Sequence, residues 1–314
     1  MKNTMINRTH IEGWLYDHDL ALKESGPNSK NPGTPYISGS LQIATDDAQT
    51  NIVPVHFTYV TATTSKGNAN ATFTILNDII NEKHHSIMKH DAQSATKLRV
   101  DSAIGLNEFY SDRNGEEELV SVKRNEGGFV HLTNELAEDE KTRNTFETDM
   151  LITNVRRVEA DEERQLPEKV IVRGAIFDFR KSLLPLEFSA TNPNAMNYFE
   201  GLNASSAEPV FTKVWGRQIS ETIVRTITEE SAFGEDSVRE VRNTRKDFVI
   251  TGAAREPYVW DDEESITAAE LKEAMQAREV YLADMKQRQD EYRASQNKAP
   301  AATTGAAKTG AFNF

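Results

Sequence analysis

Apolar and polar residues alternate with a period of two over most of this chain, and the breaks in that rhythm divide it. Thr9–Tyr16, Tyr36–Thr45 and Asn51–Val60 read as three strands between polar, turn-rich loops, with Pro54 favouring an edge or a bulge. Phe73, Leu76, Ile79, Ile80 and Ile87 then recur at roughly helical spacing, which predicts a helix over Phe73–Lys89. Alternation returns in Lys97–Tyr110 and Glu117–Leu132, and Asn114-Gly115 between them is a strong hairpin signal. Glu135–Asp149 is charged and reads as a linker or short helix. Beyond it, Met150–Val158, Lys169–Arg180 and Leu183–Ala190 are predicted strands, and Asn194–Leu202 is a short helix after an Asn-Pro start. Val210–Ile227 and Asp247–Ala254 supply two more strands around an acidic insertion. Thr267–Gln296 is a long helix opened by a Thr267/Glu270 capping box. Its near-heptad seam of Leu271, Met275, Leu282 and Met285 is interrupted by Arg278, so it is expected to pack on the preceding domain.

Strand–strand–strand–helix–strand–strand therefore occurs twice. That is the element order of an oligonucleotide-binding (OB) barrel. The prediction is a mainly β protein of two tandem OB-like five-stranded barrels, with a C-terminal helix and a disordered tail. The expected limits are 1–134 for the first barrel, 135–149 for the linker and 150–260 for the second barrel. Residues 261–297 hold the helix, and the Ala/Thr/Gly-rich 298–314 form the tail.

The stretch from Pro209 to Thr222 suggests chemistry. As a strand it puts Phe211, Lys213, Trp215 and Arg217 on one face, and Thr212, Val214, Gly216 and Gln218 on the other. Rings alternating with cations suit an unpaired nucleic-acid strand, because every base has a π-face and every phosphate a negative charge. The competing reading is a sheet edge with core aromatics and snorkelling cations. Further candidates are Trp14 and Tyr16 on the first strand, and Lys97 and Arg99 leading to Tyr110 and Arg113 beside the first hairpin turn. In the second half Arg173, Phe177, Phe179 and Lys181 are expected to share a strand face.

Composition narrows the classes. With no Cys the chain has neither disulfides nor thiolate metal sites and suits a reducing cytoplasm. The formal net charge of −13 argues against a protein that coats duplex DNA by bulk electrostatics, but leaves room for a local basic groove. No Walker loop, GxSxG elbow or HExxH helix occurs, and His84, His85, His90 and Asp91 form the one local cluster of metal-ligand type, read as a solvated helix end. No enzyme activity, cofactor or metal is expected. No apolar run has membrane-spanning length.

GSLQIATDD followed by NIVPVHFTYV resembles the second and third strands of phage and bacterial single-stranded DNA-binding proteins, and RVDSAIGLNEFYSDRNGEEE resembles their fourth strand and hairpin. The resemblance implies a non-catalytic cytoplasmic protein that coats unpaired DNA in replication or recombination, with RNA as the other single-stranded ligand and a homo-oligomer as a compatible state. Bacterial members end in a flexible tail with a terminal Phe that recruits replication and repair partners. This chain ends in Phe314 but departs from them in having no acidic residue after Glu291. The alternative function is a virion or assembly protein that uses β-barrels as interaction scaffolds.

Overall fold

A computed structural model describes residues 5–113, 116–161, 166–229, 233, 237–262 and 265–297. The strands are β1 (Asn7–His18), β2 (Ala21–Glu24), β3 (Pro35–Ala44), β4 (Ile52–Thr61), β5 (Lys97–Arg113), β6 (Glu116–Leu132), β7 (Asn144–Val158), β8 (Lys169–Phe177), β9 (Leu183–Ala190), β10 (Val210–Glu229) and β11 (Ser237–Ala253). The helices are α1 (Ala71–Ile80), α2 (Pro193–Gly201) and α3 (Ala268–Asn297). The predicted tail at 298–314 lies outside the described residues.

Pairing closes two circuits of five strands. In the first, β1 pairs with β5, β5 with β6, β6 with β4 in parallel, β4 with β3, and β3 with β1. In the second, β7 pairs with β8, β8 with β9, β9 with β11 in parallel, β11 with β10, and β10 with β7. Each circuit encloses alternate residues of its own strands. Ile11, Leu41, Val55, Val100 and Val130 meet Leu76 and Ile79 of α1 in the first. Phe146, Ile152, Val172, Phe188 and Ile250 meet Met196 and Phe199 of α2 in the second.

The circuits are not separate units. The N-terminal half of β1 pairs with the start of β7, from Asn7↔Thr148 to Ile11↔Asn144, which fuses everything into one eleven-stranded sheet. The second part of the expected linker is therefore strand: Glu140–Thr142 forms a 3-10 turn, and β7 begins at Asn144. Polar Thr145 and Glu147 disguise that strand because they face an open hollow rather than a core. Two other expectations need correction. α1 stops at Ile80, where Asn81 caps it and Glu82 takes a left-handed φ of 58°. Ile87, which seemed part of its apolar face, instead donates its N–H to Leu15 O of β1 at 2.9 Å. The acidic insertion of the second half largely belongs to β11, which starts at Ser237; a ribbon wetted on both faces carries no alternating signature.

The hairpin arms β5–β6 and β10–β11 overreach their own circuits, and each leans on the other's parallel joint. Gln218 of the second arm exchanges two side-chain hydrogen bonds with Asn125 of β6, at 2.7 and 2.9 Å, and its carbonyl accepts from Asn51 and Asn144. Lys123 of the first arm donates to the Glu187 carbonyl of β9. As a residue Lys123 is only half-buried, but its ammonium is enclosed, 4.7 Å from the ring centre of Phe188 and 4.5 Å from that of Phe248. Burial pushes that ammonium down to about 8. An unfolded lysine keeps its proton to near pH 10.4. The unfolded chain thus binds the extra proton between pH 8 and 10.4, and folding stability should rise there with a slope approaching 1.4 kcal/mol per pH unit. Denaturant melts across that window should show the rise, and Lys123→Met should flatten it.

Candidate nucleic-acid interface

On the outer face of the fused sheet, a hollow of about 970 Å³ lies across β5, β1, β7 and β10, with Phe129 of β6 and Thr251 of β11 at its sides. Cross-strand register orders its floor. One row runs Phe129, Asp101, His10, Thr145, Arg217. The next runs Arg8, Glu147, Trp215, Gly252. Five strands at the usual spacing make the first row about 19 Å long. Neither circuit owns the hollow, since β1 and β5 belong to one and β7 and β10 to the other.

Two rings open into it. Trp215 is 39% exposed and Phe129 70%. The indole lies flat on the backbone of Gly252: a Cβ built there would fall 2.5 Å from Cε2 and closer still to Nε1. Gly252→Val should therefore evict the indole, seen as a shift in tryptophan emission with the fold retained. Phe129 is lifted out by Gly127 and Gly128, at φ of 67° and 115°, where β5 and β6 slip register beside Asp101. Sequence reasoning passed over Phe129, although a Gly pair inside a strand is a bulge signal.

Cations surround the rings. Arg8, Lys141 and Arg217 line the hollow against Asp101 and Glu147, so it is locally positive on a chain of −13. Glu147 accepts from Arg8 and is 3.1 Å from Lys213, whose ammonium is 5.9 Å from the centre of the Trp215 ring. Burial alone would raise the Glu147 carboxyl, but the bonds from Arg8 and Lys213 outweigh it and hold the group below its ordinary range. A smaller hollow adjoins along the same face, lined by Glu12, Arg99, His131, Leu132, Thr133 and residues 135–137.

The sequence candidates separate accordingly. Trp215 and Arg217 line the main hollow with Lys213 beside the Trp215 ring, and Arg99 lies in the adjoining one. Trp14 is half-buried under the Arg143 guanidinium, 5.6 Å away; Tyr16 is half-buried on the same strand; Lys97 donates to Asn134 O at 3.2 Å. Tyr110 is engaged by α3, its backbone N–H donating to Gln289 at 3.1 Å and its carbonyl accepting at 2.6 Å. The Arg113 side chain lies outside the described residues. Arg173 is exposed and bonded to Glu187 at 2.6 Å. Arg173, Phe177, Phe179 and Lys181 do not share a face, because β8 ends at Phe177. Phe177 is fully buried in a small core with Leu151, Phe211 and Ile266, which also takes Phe211 off the open face. Phe179, 88% exposed, and Lys181 sit on the following turn, where Asp178 accepts from Arg180 N and Ser182 N. At the His84/His85/His90 cluster, the rings of His85 and His90 stack 4.2 Å apart, and no metal-binding group of three occurs among the described residues. Among those residues, no helix is long and apolar enough to cross a membrane.

The sequence model of the YorF family matches residues 6–288. No curated protein matches the chain. Among solved structures, the wild-type single-stranded DNA binding protein from Thermus aquaticus is similar at TM-score 0.43 and 11% identity, over 81% of this chain and 95% of that one. A deletion variant of the same protein gives 0.45 and 11%, over 83% and 98%.

Proposed function

The chain belongs to the YorF family, and we propose that it is a non-catalytic protein that binds single-stranded DNA in the hollow across the fused sheet. The observation that carries this reading is the pairing of two open rings, Trp215 and Phe129, with Arg8, Lys141 and Arg217 in one trough, and Lys213 beside the Trp215 ring, on an acidic protein. Rings that any base can stack on, beside cations for the backbone, bind a strand without reading its sequence. Unpaired bases can turn to meet such rings, whereas the bases of a duplex are stacked on one another and offer them no face. Each five-strand circuit, with its parallel closure and its helix between third and fourth strands, is read as an OB-like barrel. The division at 135–149 is read as the junction between them. Coating of unpaired DNA in replication or recombination is the role this binding serves, in the cytoplasm.

The test is titration of the full chain with labelled oligo-dT and with a duplex of the same length, at low and high salt. Tight binding to the single strand alone, weakening with salt, is the expected result. No binding of oligo-dT at low salt sinks the proposal and leaves an assembly scaffold as the account of this face.

A further inference from the structure

One group of side chains on the floor of the hollow makes little sense as a stability device. Asp101 sits among three bases: Arg99 Nε is 3.1 Å from one carboxylate oxygen, His131 Nε2 is 3.9 Å from the same oxygen, and His10 Nδ1 is 3.0 Å from the other. All four side chains are open, between 36% and 47% exposed. Half-exposed ion pairs of this kind contribute little to folding. They come from three adjacent strands and lie where the main hollow meets the smaller one. A tetrahedral oxyanion and a carboxylate make the same demand, several donors converging on one small negative group.

We propose that Arg99, His10 and His131 form a phosphate subsite, and that Asp101 occupies it in the free protein as an internal stand-in for a backbone phosphate. This rests on the single-strand reading and deepens it by saying where one phosphate goes and what it displaces. The surrounding charges set the balance. Glu12, 3.3 Å from the far nitrogen of His10, is itself bonded by Ala137 N–H, while Glu135 lines the smaller hollow. Arg8, paired with Glu147, and Lys141 and Arg217 face the subsite from the main hollow. Asp101 is the carboxylate at the centre, so an arriving strand competes chiefly with it. The stand-in has a consequence for selectivity: a ligand must bring an anion that outcompetes a tethered carboxylate, which isolated neutral rings cannot do.

The experiment is oligo-dT binding by wild type, Asp101→Asn, Arg99→Gln and Trp215→Ala over a range of salt. Asp101→Asn keeps the shape and removes the competing charge, so affinity at low salt should rise by about fivefold or more. Arg99→Gln should weaken binding and reduce the slope of log affinity against log salt by about 0.7, one single-strand phosphate contact. Trp215→Ala should weaken binding with the slope unchanged. An Asp101→Asn protein that binds no tighter than wild type, or an Arg99→Gln slope equal to wild type, overturns the subsite while leaving the single-strand reading standing, provided that Trp215→Ala weakens binding. A wild type that does not bind oligo-dT overturns both.

Discussion

Trp215→Ala should weaken oligo-dT binding by about 5- to 150-fold, the loss of one base–aromatic stack worth ~1–3 kcal/mol. The effect is expected to be large because the ring is held ready. Its lower face rests on Gly252, its neighbour Lys213 is tied to Glu147, and its upper face opens into the hollow. A ring already fixed in the binding pose loses little side-chain freedom when a base arrives. Phe129→Ala should cost less than Trp215→Ala, since it removes a smaller π-face. The double variant should lose nearly the sum, because about four strand spacings separate the two rings. Phe177→Ala, by contrast, should lower stability and leave affinity per folded molecule unchanged, as that ring is fully enclosed between Phe211 and Ile266. Anisotropy of a labelled oligonucleotide reads all four without relying on tryptophan signal. Wild-type affinity in a folded Trp215→Ala protein would show that the strand lies elsewhere.

The contrast between Trp215 and Phe177 also shows how far the sequence could be read. Alternation put Lys213, Trp215 and Arg217 on one face of a strand, and the register of β10 against β7 keeps that alternation, with Lys213 beside the Trp215 ring. Alternation cannot say which stretch of a strand face a distant segment will cover. Phe211 shares the face of Trp215, yet Tyr258, 4.9 Å away ring to ring, and Ile266 fold back over it from the C-terminal region. The element order was legible because each circuit buries its own alternate residues. The fusion was not, because the β1–β7 ladder joins Asn7–Ile11 to Asn144–Thr148 across a hollow lined by polar groups, and polar strands read as linkers. Asp101, His10 and His131 were missed for a related reason: their chemistry exists only in cross-strand register, which a single strand does not display.

Glu108→Ala should destabilise the chain by about 3–5 kcal/mol, the largest stability effect expected of a single polar substitution here. Glu108 is the partner of Arg278, the residue that interrupts the apolar seam of α3. In the structure Arg278 does not break the packing. It turns inward with Leu271, Ala274, Leu282 and Met285, donates to both Glu108 oxygens at 3.2 and 2.6 Å, and reaches the Leu183 carbonyl. The two side chains are 13% and 3% exposed. Removing the carboxylate leaves a guanidinium enclosed without a counter-charge, whereas replacing both groups by apolar ones leaves no such debt. Glu108→Leu combined with Arg278→Met should therefore recover most of the stability that Glu108→Ala loses. The exposed pairs further along the helix, Lys286–Glu117 and Arg293–Glu117, should matter far less, because solvent screens them. At roughly 2–4 °C per kcal/mol, the Glu108→Ala melting point should fall by about 6–20 °C. Hydrogen exchange should locate the loss: α3 and the outer half of β5–β6 should open first, because that ion pair and the Tyr110–Gln289 bonds hold the helix to β5. A Glu108→Ala protein that melts with wild type would mean that α3 is held by its apolar end alone, and that the first arm needs no brace.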